Sequence, residues 1–199
     1  MTIEASIGMS RGTFRINARL SDSGIIFMEG ENGSGKTTFL RAVAGHFSQF
    51  TGHVIVNGRD VTNVELQRRG IIYLNSETVL LNLDVDSHIT WPQNPKRYSS
   101  DIRILKDAMG IDFAGKAWEL SYGQKMRLAA AGAIFHRPDL IIMDEVTSGI
   151  SDSPGFIKSV SSLAREKGID IIFVSHNPGD GALADHVYRM ENGSLSRIS

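Results

Sequence analysis

The chain has no cysteine among its 199 residues. That excludes disulfide scaffolds, thiolate zinc sites and cysteine nucleophiles, and it fits a reducing compartment. Neither sign of charge is in excess: 21 Lys and Arg face 22 Asp and Glu, for a net charge of −1. Nothing in that balance argues for a nucleic-acid or anionic-membrane partner, and no nucleic acid is expected to bind. Long apolar runs are also missing. Residues 128–135 and 140–143 are the most apolar stretches, far short of the roughly 20 residues that cross a bilayer. The start, Met1-Thr2-Ile3-Glu4, lacks the basic and apolar segments of a secretory leader. A cytoplasmic location is expected, with any membrane crossing supplied by another chain. There is no internal repeat and no low-complexity linker, so at about 150 residues per domain the reading is one domain over 1–199.

What is present alternates between strand and helix patterns. An apolar run at 25–28 leads into Gly30-Glu31-Asn32-Gly33-Ser34-Gly35-Lys36-Thr37-Thr38, followed by a helical stretch at 39–44 that Gly45 stops. Asn57-Gly58 and Asn192-Gly193 read as hairpin turns, because both central positions of that turn need positive φ. Further buried strands are expected at 71–74, 140–143 and 169–174, and helices at 101–109, 121–135 and 156–166. Pro92 and Pro95 interrupt residues 82–118, which read as a small, mostly helical lobe set into a core of 1–81 and 119–199. The expected fold class is α/β, a P-loop NTPase with a mainly parallel sheet, an N-terminal antiparallel β portion and that lobe. The polar motifs fall just past the C-terminal ends of strands, where such sheets bind their ligands.

Gly30-x-x-x-x-Gly35-Lys36-Thr37 matches the phosphate-loop pattern. Glycines let the backbone curl until successive N–H groups face one anion, and the following helix aims its free N–H groups at the same place. Residues 30–38 are thus the candidate nucleotide-binding set. Lys36 supplies a mobile charge to the outer phosphates and the Thr37 hydroxyl a ligand for Mg²⁺. The strand at 140–143 ends in Asp144-Glu145. Asp144 is the candidate Mg²⁺ carboxylate, and Glu145 the group that orients or deprotonates the attacking water. A carboxylate next to the metal-binding Asp favours hydrolysis over a pure nucleotide switch.

Leu120-Ser121-Tyr122-Gly123-Gln124 stands before that acidic strand, with Gln124 20 residues ahead of Asp144. Here the sequence resembles the ATP-binding-cassette (ABC) ATPases, whose signature is Leu-Ser-Gly-Gly-Gln at a helix start. The resemblance runs from about Ile16 to the end, in the order phosphate loop, signature, acidic strand and strand-end histidine. It implies an ATPase with ATP as substrate and Mg²⁺ as cofactor. It implies two subunits, alike or different, facing head to tail, with each ATP held between one phosphate loop and the signature of the other. Ser121, Gly123 and Gln124 would act across that interface, and His176 would contact the γ-phosphate and the attacking water. A separate membrane-spanning subunit would receive the work, placing the chain on the cytoplasmic face of the membrane.

Several positions depart from the family pattern. Tyr122 replaces a glycine, so its side chain is expected to point away from the nucleotide. A metal-contacting Gln is usual after the strand at 71–74; Asn75-Ser76-Glu77 stands there, and by position Ser76 takes that role. The segment after the acidic pair reads Val146-Thr147-Ser148-Gly149-Ile150-Ser151-Asp152, with its Asp one place late, so a rearranged contact across the dimer is expected. The usual adenine-stacking aromatic corresponds to Ile7, and Phe14, the nearest ring, is spaced as a core residue. Base recognition is therefore expected to be weak, with GTP a better competitor than usual. The 44 positions between Ser76 and Leu120 are somewhat short for the family's lobe. Three rivals stay open: a soluble ABC ATPase acting as an assembly or regulatory factor, a P-loop kinase, and a catalytically idle cassette.

Overall fold

The computed structural model describes residues 2–199. Its strands are β1 (Ile3–Arg11), β2 (Phe14–Asp22), β3 (Ile25–Glu29), β4 (Thr51–Val56), β5 (Arg59–Asp60), β6 (Ile71–Leu74), β7 (Leu140–Asp144), β8 (Asp170–Val174), β9 (His186–Glu191) and β10 (Ser194–Arg197). Its α-helices are α1 (Lys36–Ala44), α2 (Val85–Thr90), α3 (Ser99–Met109), α4 (Tyr122–Phe135) and α5 (Ser153–Lys167).

All the strands form one sheet in the order β5-β4-β1-β2-β10-β9-β3-β8-β7-β6. β3, β8, β7 and β6 run parallel, and β9 joins β3 in the same sense. The other flank is antiparallel, built on the β1–β2 pairing from Ile3↔Asp22 to Arg11↔Phe14. The two flanks are buried differently. β2 alternates, with Ile16, Ala18 and Leu20 buried and Arg15, Asn17, Arg19 and Ser21 exposed. β7 and β8 are buried at every position, because helices cover both faces of a parallel sheet. Ile25, Phe27, Ile141, Met143, Ile171 and Phe173 pack on the face carrying α4, α5 and the lobe. Their neighbours Ile26, Met28, Leu140, Ile142, Ile172 and Val174 pack on the face carrying α1.

Both Asn-Gly pairs make the expected turns, with φ of 53° and 74° at Asn57-Gly58 and 46° and 78° at Asn192-Gly193. Helices begin earlier than the apolar patterns indicate. α1 starts at Lys36 rather than residue 39, since the end of the phosphate loop forms its first turn. α5 starts at Ser153 rather than 156, capped by the Asp152 side chain, which accepts from the Gly155 amide at 3.0 Å, with Pro154 in the first turn. The late Asp152 is thus a helix cap. Within 82–118, one 3₁₀ turn (Pro95–Arg97) joins α2 to α3, and a second (Ala117–Glu119) follows α3. No helix among the described residues is long and apolar enough to cross a membrane.

Candidate active site

The loop between β3 and α1 is shaped by what touches it. At Gly30, with φ of 144°, a Cβ would sit 2.3 Å from the Met190 carbonyl oxygen, so only glycine fits. Gly35 caps α1 with φ of 111° in the left-handed region. The β9–β10 turn braces the loop, the Gly193 amide donating to the Ser34 carbonyl at 2.9 Å. Lys36 is buried, and its ammonium donates to the carbonyls of Gly30 at 2.7 Å and Glu31 at 2.9 Å. The cation is therefore held across the mouth of the loop by neutral acceptors, and its charge stays available to an anion. The Ser34 hydroxyl is buried without a protein partner.

The acidic strand end meets this loop. The Thr37 hydroxyl donates to Asp144 Oδ1 at 3.2 Å. A hydroxyl that spends its proton this way keeps its lone pairs for a cation. The donor set is one carboxylate and one hydroxyl, and no group of three or more His, Asp or Glu able to hold a metal occurs among the described residues. Such a sparse set fits Mg²⁺, which keeps waters and takes nucleotide phosphates as ligands; it does not fit a metal caged by protein alone.

Glu145 follows Asp144 with φ of 58°, a left-handed backbone that costs a non-glycine residue about 1–3 kcal/mol. Ser148 pins it, donating its hydroxyl to the Glu145 carbonyl at 2.9 Å. The turned backbone puts Glu145 beside Phe14, Lys36 and Thr37 in a small cleft, with its Oε2 3.4 Å from His176 Nε2. His176 lines a second, larger cleft of about 680 Å³, shared with Gly30–Ser34 and Asn192. Beneath it, the Ser175 hydroxyl donates to buried Asp180 at 2.6 Å and accepts from Thr147 at 3.1 Å, tying the loop after Glu145 to the loop that carries His176.

The remaining candidates lie elsewhere. Ser121, Gly123 and Gln124 line neither cleft. Ser121 is exposed and caps α4 in a reciprocal box: its hydroxyl accepts from the Gln124 amide at 3.3 Å, and its own amide donates to Gln124 Oε1 at 2.9 Å. The Tyr122 ring is half-buried, packs on the core and lies against Gly149. Ser76 is exposed in a turn organised by Asn75 and Thr78, and the hydroxyl that joins Thr37 on Asp144 belongs to Tyr73. Ile7 is buried in the core. Phe14 packs on the core as its spacing suggests, but its ring also walls the smaller cleft, close against Gly35. Sequence reasoning missed Tyr73 and the Thr147–Ser175–Asp180 set; the polar run Ser175-His176-Asn177 was the available signal for the second.

A strand, an amide-lined loop closed by Lys36, and an Asp144 that meets Thr37 define a P-loop nucleotide-binding protein. A family model described as ABC transporter matches residues 14–148. The chain belongs to that family: it is an ABC transporter nucleotide-binding domain, an ATPase. An energy-coupling factor transporter ATP-binding protein of Clostridium perfringens is 29 % identical over 199 residues, covering 90 % of this chain and 70 % of that protein. A second such protein, from Streptococcus agalactiae, is 30 % identical over 186 residues, covering 85 % and 66 %. The sulfate/thiosulfate import ATP-binding protein of Vibrio cholerae is 27 % identical over 212 residues, covering 98 % and 56 %. The chain thus spans between 56 % and 70 % of the length of these relatives. Among solved structures, an ATP-binding subunit of an ABC transporter superposes with a TM-score of 0.82 at 18 % identity, covering 100 % of this chain and 90 % of that one. It shares the fold.

Proposed function

We propose that this chain binds MgATP at residues 30–38, pairs through the nucleotide with a second ABC ATPase subunit, and hydrolyses ATP to drive a separate membrane-spanning subunit. The observation that carries the reading is the convergence of Lys36, Thr37, Asp144, Glu145 and His176 from three strand ends around one loop.

The loop amides and the start of α1 receive the phosphates, and Lys36 exchanges its carbonyl partners for phosphate oxygens. Thr37 and Asp144 would hold Mg²⁺, which offsets phosphate charge when bound. Glu145 would take a proton from the attacking water, and His176, within 3.4 Å, would hold that carboxylate toward the γ-phosphate. Ser121 is exposed and lies outside both clefts, so the Ser121 turn would donate to a nucleotide carried by another subunit. Hydrolysis and release of phosphate would remove the charge that joins the two surfaces, and the pair would reopen. Exposed Leu80, Leu81 and Trp118, close together where the core meets the lobe, offer an apolar face to the membrane subunit. Such docking would hold the chain at the cytoplasmic face of the membrane. Phe14 supplies a ring edge at the cleft, which favours stronger base recognition than Ile7 at the usual aromatic position implies.

The test is phosphate release from ATP. The wild-type chain should turn over, and Glu145→Gln should slow release by about a hundredfold or more while still binding ATP. Lys36→Ala should lose tight nucleotide binding. Unchanged binding by Lys36→Ala would refute the reading, and a phosphorylated small acceptor without free phosphate would make the protein a kinase.

A further inference from the structure

Asp144 receives a second hydrogen bond whose donor lies outside the phosphate loop. β6 carries Tyr73 beside β7, and its hydroxyl donates to Asp144 Oδ2. Thr37 holds Oδ1 from the other side at 3.2 Å. Each carboxylate oxygen therefore has one donor, and the plane of the group is fixed. The Arg41 guanidinium, one turn along α1 from Thr37, lies near the Tyr73 hydroxyl without displacing its bond to Asp144. His46 packs edge-on against the ring at 5.2 Å between centroids and fixes it from behind. Among the described residues no cation pairs with Asp144: both donors are neutral hydroxyls. The carboxylate is thus oriented without being neutralised.

We propose that Tyr73 is a positioning residue for Asp144, fixing the carboxylate that would hold Mg²⁺. The inference rests on the nucleotide-site reading above. Ser76 lies exposed in the neighbouring turn, so Tyr73 is the side chain of this strand end that reaches the carboxylate.

The experiment compares the affinity of the fluorescent nucleotide mant-ATP in EDTA and in Mg²⁺, by titration, for wild type and Tyr73→Phe. In EDTA Tyr73→Phe should bind as wild type does, which also shows that its loop is intact. The gain in affinity on adding Mg²⁺ should shrink about tenfold or more, the scale of one hydrogen bond to a charged group. A Tyr73→Phe chain that keeps the full Mg²⁺ gain would overturn the proposal. So would one that loses affinity equally with and without Mg²⁺, since Tyr73 would then be structural. A wild-type chain that binds no mant-ATP in either condition would remove the nucleotide-site reading, and the proposal with it.

Discussion

The loop at residues 30–38 and the turn at residues 120–124 both open a helix, and they are built in opposite ways. The first is finished within the chain. Lys36 and Ser34 are buried, the Gly193 amide braces the backbone, and Asp144 arrives on a buried strand to meet Thr37. The second is finished only as a helix cap. Ser121 is exposed, its hydroxyl accepts from the Gln124 amide and keeps its own proton free, and neither cleft at the loop includes it. A preorganised loop binds an anion alone, because its N–H groups are already aimed. An exposed cap has to be brought to its ligand. On the proposed function, these are two halves of a composite site that closes only between subunits.

That contrast can be broken with paired variants. The largest effect is expected from Lys36→Ala, which should abolish nucleotide affinity and nucleotide-driven pairing together in equilibrium binding and light scattering. Ser121→Arg should separate the two: affinity of the isolated chain for mant-ATP within about twofold of wild type, pairing lost, and about 1 kcal/mol of stability lost with the helix cap. If Ser121→Arg weakened nucleotide binding as much as Lys36→Ala, the turn would belong to the chain's own site. Phe14→Ala should cost about three- to tenfold in adenine-nucleotide affinity, the scale of an aromatic contact, and should narrow any preference for ATP over GTP. A wild-type chain that binds GTP as tightly as ATP would instead support weak base recognition.

The smallest effect is a pH trend in stability. Burial lowers the pKa of His46, His88 and His136 below the ordinary histidine value. His88 Nε2 accepts from the Leu80 amide at 3.1 Å and must be neutral to do so. The unfolded chain takes up these protons near the ordinary value and the folded chain resists them. Stability should therefore be level well above the ordinary histidine value and fall as pH drops below about 6.5. Differential scanning fluorimetry should show that fall, reduced in His88→Gln; a melting temperature that rises on acidification would contradict the assignment.

What could be read in the sequence was local. The strands at 140–144 and 170–174 advertise burial through unbroken apolar runs, and Ser121, Gly45 and Gly110 mark helix ends by the residue types such ends need. The phosphate loop was legible because its chemistry lies in nine consecutive residues. What was hidden depends on pairs far apart in the chain. Tyr73 reads as one more aromatic in a buried strand, since Asp144 is 71 residues away. Asp152 looked displaced because its task as the cap of α5 is seen only once the helix is known to begin at Ser153. Phe14 has a core spacing and also a place at the cleft, a double role that spacing alone does not reveal.

The central claim is that ATP joins two copies, or one copy and a close relative, through the Ser121 turn. Small-angle scattering of Glu145→Gln with ATP and Mg²⁺ tests it most directly, run beside the Glu145→Gln/Ser121→Arg double variant. The account predicts a twofold rise in mass for the single variant and none for the double. A chain that remains a monomer at saturating ATP, alone and with its co-expressed ATPase partner, would contradict it.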